Sequence, residues 1–178
     1  MKHRDARAPV AILTVAAILL GGVALMAVPG APAPVASVPA RAHAAEIEER
    51  FQQGVVMLHA KRFDHAVAAF HQVLKYAADL PEAHVNMGYA LLGMKRFGAA
   101  RDFFNSAIEL RPRQMNAYYG LAVAHEGEGD LRAAIGAMRT YVHLADPGDP
   151  HRRKGESALW EWQSSLAKEA VPAPPKKR

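Results

Sequence analysis

An all-α stack of helical hairpins is the fold this sequence predicts for most of its length. A ten-residue phrase recurs at a fixed interval: "KRFDHAVAAF" at 61–70 returns as "KRFGAARDFF" at 95–104, thirty-four residues on. Within each copy the apolar residues fall at helical spacing. Proline, glycine and aspartate stand where those helices would stop. The chain has 178 residues and 51% of them are hydrophobic, enough for one domain with a real core.

The chain opens with "MKHRDARAPVAILTVAAILLGGVALMAV", a short basic head followed by a run with no charge from Pro9 to Val28. As a helix, twenty residues span roughly the 30 Å of a bilayer's hydrocarbon core. Lys2, Arg4 and Arg7 precede the run and the next cation is Arg41, so the positive-inside rule puts the N-terminus in the cytoplasm and the rest outside. Two readings of residues 1–28 fit: a retained membrane anchor, favoured by the length, or a cleaved signal peptide, favoured by the Ala-x-Ala site at Ala42-His43-Ala44. Both place the folded part in the cell envelope on the extracytoplasmic, periplasmic side. Residues 29–44, with Pro29, Pro32, Pro34 and Pro39, read as an extended Ala/Pro-rich linker with a reach of roughly 50 Å.

Three units follow at the period of 34, covering 47–80, 81–114 and 115–148. In the middle unit His84, Met87, Gly88 and Leu91 share one helical face. After "GMKRFG" the pattern restarts with Ala100, Phe103, Phe104 and Ala107, and Pro112 closes the unit. Each unit is therefore two amphipathic helices and a turn. The third unit turns at "EGEGD", where Gly127 and Gly129 break the helix and Asp130 is placed to cap the next one. Residues 149–170 predict a final helix starting at Asp149-Pro150, with Ala158, Leu159, Trp162 and Leu166 on one stripe and Trp160 off it. The last residues, 171–178, read as a disordered basic tail.

These units resemble tetratricopeptide repeats, whose 34-residue pattern runs W-x₂-L-G-x₂-Y, A-x₃-F, P. The middle unit matches with His84 in the tryptophan place, then Met87-Gly88, Leu91, Ala100, Phe104, Ala107 and Pro112. The first offers Arg50, Gln53-Gly54, Met57, Ala66, Phe70, Val73 and Ala78, and the third Tyr118, Leu121-Ala122, His125, Ala134, Met138, Tyr141 and Asp146. The resemblance implies a right-handed α-solenoid of three repeats closed by a capping helix. In that setting the small residues let two helices approach, and Phe70, Phe104 and Met138 fill the space between units. Phe63, Phe97 and Leu131 anchor the turns, beside solvated Lys61-Arg62 and Lys95-Arg96. No unit buries its apolar face alone, so the same solution recurs with the same packing problem.

Chemistry is hard to find in the residues. The chain's net charge is +5, but residues 1–44 hold four of its 22 cations and one of its 17 acids, so the remainder is close to neutral. A basic surface for nucleic acid is not predicted. With no cysteine there is no disulfide, thiolate site or haem attachment. The nine histidines include no His-x-x-His or His-x-x-x-His, so no metal set is predicted. Glu126 and Glu128 sit in a glycine-containing turn and read as solvated. No nucleophile motif or phosphate loop appears, so no catalytic residue, metal or cofactor is assigned and the chain is read as a non-enzyme.

What the resemblance implies instead is a concave groove on the first helices of the units, able to take a peptide or helix of a protein partner. By that carry-over the groove comprises Phe51, Val55, Val85, Asn86, Tyr89, Tyr119 and Val123, flanked by His59, Glu82 and Asn116. Phe51, Val55 and Val85 can alternatively complete the core. The clamp that some family members use for acidic C-termini is matched only at Asn86, with Phe51, Val55 and Gly120 at its other places, so an apolar or aromatic-bearing peptide is the expected ligand. The functional expectation is a scaffold or protein-binding module of the envelope. The alternatives are a self-associating subunit that forms a homo-oligomer through Trp160 and the last helix, or an accessory subunit of an envelope assembly or secretion system.

Overall fold

The computed structural model describes residues 38–169, which form seven helices and no strand. They are α1 (Val38–His59), α2 (Phe63–Tyr76), α3 (Pro81–Gly93), α4 (Phe97–Leu110), α5 (Met115–Glu128), α6 (Leu131–Leu144) and α7 (Arg152–Glu169). Helices α1/α2, α3/α4 and α5/α6 pair as hairpins, each hairpin packs on the next, and α7 packs on α6. The anchor or signal segment, most of the linker and the basic tail lie outside the described residues. Among the described residues no helix is long and apolar enough to cross a membrane.

The hairpin turns repeat to the residue. Lys61 and Lys95 have φ +57°, and Gly129, again 34 residues on, has φ +83°. At each turn the left-handed residue's N–H donates three residues back, and the following N–H donates five back: Arg62 to Met57, Arg96 to Leu91, Asp130 to His125. This Schellman geometry satisfies carbonyls that the helix end would otherwise orphan. A side chain in that conformation costs about 1 kcal/mol, so only the third turn uses the unstrained residue. Asp130 then caps α6, accepting the Ala133 N–H at 3.0 Å.

Phe104 shows why small residues recur. A Cβ added at Gly88, in its own hairpin, would stand 2.7 Å from its ring, and one at Gly120, in the next, 2.2 Å. The ring is thus wedged between two helix backbones and links hairpin to hairpin. Phe63 and Phe97 also reach the following hairpin, lying on Gly93 and Gly127. The tryptophan place is filled by His84 and Tyr118. Each side chain hydrogen-bonds a carbonyl six residues back, His84 Nε2 to Ala78 at 2.7 Å and Tyr118 Oη to Pro112 at 3.0 Å. Because a carbonyl only accepts, Nε2 carries the proton, and His84 Nδ1 is a buried acceptor without a partner.

The structure departs from the sequence reading in three places here. Helix α1 already begins at Val38, within the segment read as extended linker. Pro39 falls in its first turn, where no backbone donor is needed, and alanines carry the helix on. Helix α5 continues through Gly127 to Glu128, and Gly129 alone ends it. Glu126 and Glu128 are accordingly exposed, as read, but stand on the last turn of α5 and not in a loop. Glu126 Oε1 accepts the Trp162 indole N–H at 2.8 Å, and Glu128 pairs with Arg101 at 2.8 Å.

Candidate functional site

The first helices of the hairpins, α1, α3 and α5, present a shared face that α6 and the start of α7 close at one end. The hollow there has a volume of about 510 Å³ and is lined by His59, Tyr89, Asn116, Tyr119, Tyr141, His151 and Lys154. The tyrosines form its walls. Tyr89 rests edge-on against Phe104, with ring centroids 5.2 Å apart, and its hydroxyl donates to the Asn116 carbonyl at 2.8 Å. That bond ties α3 to the start of α5 at the rim. Tyr119 stands edge-on to Tyr141 at 5.1 Å, with His151 on its other side at 6.5 Å. The Tyr141 hydroxyl faces Asp149 Oδ2 at 3.4 Å. The other oxygen of that carboxylate accepts the His151 N–H at 2.7 Å and so shapes the turn leading into α7.

Burial holds the Tyr89 and Tyr141 phenols protonated. Desolvation, with Tyr119 and Tyr141 nearby, raises the pKa of Tyr89 well above the ordinary phenol value. Desolvation first, then the Asp149 carboxylate, pushes Tyr141 up to about 12. The walls therefore offer apolar ring faces and neutral hydroxyls, while Lys154 supplies a positive charge. Such a surface suits a chain segment carrying apolar or aromatic side chains.

Of the residues expected in the groove, the structure brings His59, Tyr89, Asn116 and Tyr119 together. Val85 is not there: it is 5% exposed and belongs to the core. Val85 lies 34 residues from both Phe51 and Tyr119, which are half-buried. Its hairpin has neighbours on both sides, and a short side chain between them sinks below the surface. Phe51 packs against Phe70, with centroids 5.8 Å apart, and Val55 lies half-buried on the core. Asn86 and Val123 are half-buried and outside the hollow's lining. Glu82 is engaged by the Arg111 guanidinium.

Tyr141, His151 and Lys154 were missed. Tyr141 holds a repeat position read as core, and the other two precede or open the final helix, which was read as a cap or a self-association surface and not as part of the groove. A signal was nevertheless present. Lys154 lies 34 residues beyond Gly120 and 68 beyond Asn86, so carrying the period into a fourth unit puts it on the groove face. Among the described residues, no three or more His, Cys, Asp or Glu side chains are grouped to hold a metal ion.

Comparison with known proteins agrees with this architecture. The first tetratricopeptide domain of Spaghetti (RPAP3), bound to the HSP90 peptide SRMEEVD, superposes with a TM-score of 0.64 at 18% identity, over 69% of this chain and 94% of that one. The TPR2B domain of yeast Sti1, in its complex with pHsp70, gives 0.64 at 20% identity over 68% and 98%. The Sgt2 domain from Aspergillus fumigatus gives 0.65 at 18% over 74% and 89%. No curated protein sequence matches the chain. The family model described as tetratricopeptide repeat matches residues 51–114 and 85–150, which together exceed half of the chain. By repeat, turn and packing, this chain belongs to the tetratricopeptide repeat family.

Proposed function

We propose that this protein is a non-enzymatic binding module whose groove captures an extended or helical segment of a partner protein. The observation that carries the reading is the tyrosine-walled hollow of about 510 Å³, built jointly by three successive hairpins and the closing helix. Solved relatives of this fold hold peptides, which supports the class of ligand. The partner segment places an apolar or aromatic side chain between Tyr89 and Tyr119, and Lys154 adds an attraction for a nearby acidic group. The uncharged run from Pro9 to Val28 supports a location in the cell envelope, anchored in the inner membrane with the repeats outside, or exported after cleavage.

Affinity capture from membranes tests the groove. Tyr119→Ala and Lys154→Ala together, in a protein with unchanged helical circular dichroism, abolish recovery of the partner. The Tyr89→Phe variant, which keeps the ring and loses only the hydroxyl, retains most of it. Undiminished recovery by the double variant refutes the assignment.

A further inference from the structure

The closing helix has a second face that the groove does not use. Helix α7 turns Gly155 and Trp162 inward: a Cβ at Gly155 would lie 3.0 Å from Met138 Sδ, and Trp162 is 4% exposed. Two residues from Trp162, about 200° around the helix, Trp160 points the other way and is 73% exposed. It stands beside a shallow hollow of about 420 Å³ lined by Arg153, Glu156 and Ser157. In the repeat frame Trp160 corresponds to Leu92 of α3, which the rest of the array half-buries against the core. Helix α7 thus packs on α6 as the end of the array, and no further helix covers its outer face among the described residues.

The ridge along that face reads Glu156, Trp160, Ser164, Lys168, at a spacing of four. Run antiparallel to itself, it becomes Lys, Ser, Trp, Glu. Among these four, each acid then meets a base and each tryptophan meets a serine, twice over. Glu156 keeps an oxygen for this role, since Arg152 Nε engages Oε1 at 3.1 Å. Every hairpin in this fold pairs antiparallel helices, so an antiparallel α7 from elsewhere fits the open position.

We infer that α7 is an isologous docking surface for a second copy of this chain, with Glu156 against Lys168 and Trp160 against Ser164 in both directions. A single four-turn helix pair is small for a permanent interface, so the dimer is reversible and concentration-dependent.

The chain contains no cysteine, which makes cross-linking clean. Full-length protein bearing Glu156→Cys, mixed with protein bearing Lys168→Cys, forms a disulfide-linked dimer under mild oxidation, several times more than either variant alone. In sedimentation equilibrium of the otherwise unaltered chain, Glu156→Lys or Lys168→Glu alone weakens the dimer roughly tenfold. The double reversal restores it, and Trp160→Ala abolishes it. A chain that stays monomeric at every concentration overturns the inference. So does cross-linking no greater in the mixture than in the single variants, or a dimer indifferent to Trp160→Ala.

Discussion

The two ends of the array solve the same problem in opposite ways. An interior first helix is covered by the hairpin before it: Ala83, Met87 and Ala90 of α3 are buried, as are Ala117, Leu121 and Ala124 of α5. At the matching places α1 carries Glu49, Gln53 and Val56, all exposed. The N-terminal end simply becomes polar, which needs no partner and leaves little to lose. The C-terminal end stays apolar and is covered by α7, through Trp162, Ala158 and Leu166. A polar end is inert, whereas a covered end can be uncovered, and the covering helix can acquire uses of its own. Here it brings Lys154 to the groove and Trp160 to a free face.

The largest break in this comparison comes at Trp162. Trp162→Ala removes a buried indole and its hydrogen bond to Glu126, and costs about 3–5 kcal/mol in urea unfolding of the purified protein. Alkaline titration acts next, and at the same end, because the buried phenol Tyr141 sits where the first two units have Val73 and Ala107. Its folded pKa lies near 12 against an ordinary 10.0. Between those values the unfolded chain has lost a proton that the folded chain keeps. The Tyr141 contribution to stability is therefore full below about pH 10 and falls toward pH 12 by about 1.4 kcal/mol per pH unit. Tyr141→Phe removes that part of the alkaline loss and leaves the part due to the buried Tyr89, as measured by denaturation at pH 9 and pH 11.

A smaller effect separates the turns. Lys61→Gly and Lys95→Gly relieve the left-handed strain and raise stability by about 1 kcal/mol each, while Gly129→Lys lowers it by a similar amount. Equal shifts for all three in one direction would contradict the strain account. The smallest effect belongs to the polar end: Val56→Lys on α1, at a site 59% exposed, changes the unfolding free energy by less than about 0.5 kcal/mol. A loss comparable to that at Trp162 would mean that the first hairpin is covered after all.

Much of the fold was legible because its determinants are local. The 34-residue spacing of Gly54 and Gly88, and of Phe70 and Phe104, states a packing problem solved the same way twice. Asp130 and Gly129 are turn chemistry readable from four residues. The groove was legible in part: Tyr89 and Tyr119 are where helical phase puts them. Val85 has equally good phase, yet it vanished into the core, because burial depends on how many neighbours flank a helix and how far its side chain reaches. Glu126 is exposed, as read, but its indole partner 36 residues away left no local sign.

From the chain alone follow the repeat, its period, the turn positions and the residues that wedge helix against helix, since each depends on contacts within a residue's own unit or the next. Only the folded array decides which of those positions remain open to a partner. Helix α7 packs back across the end of the stack and carries Lys154 to the tyrosines of the earlier hairpins. Exposure is a property of the assembled surface, and no periodicity along one helix records what another helix covers.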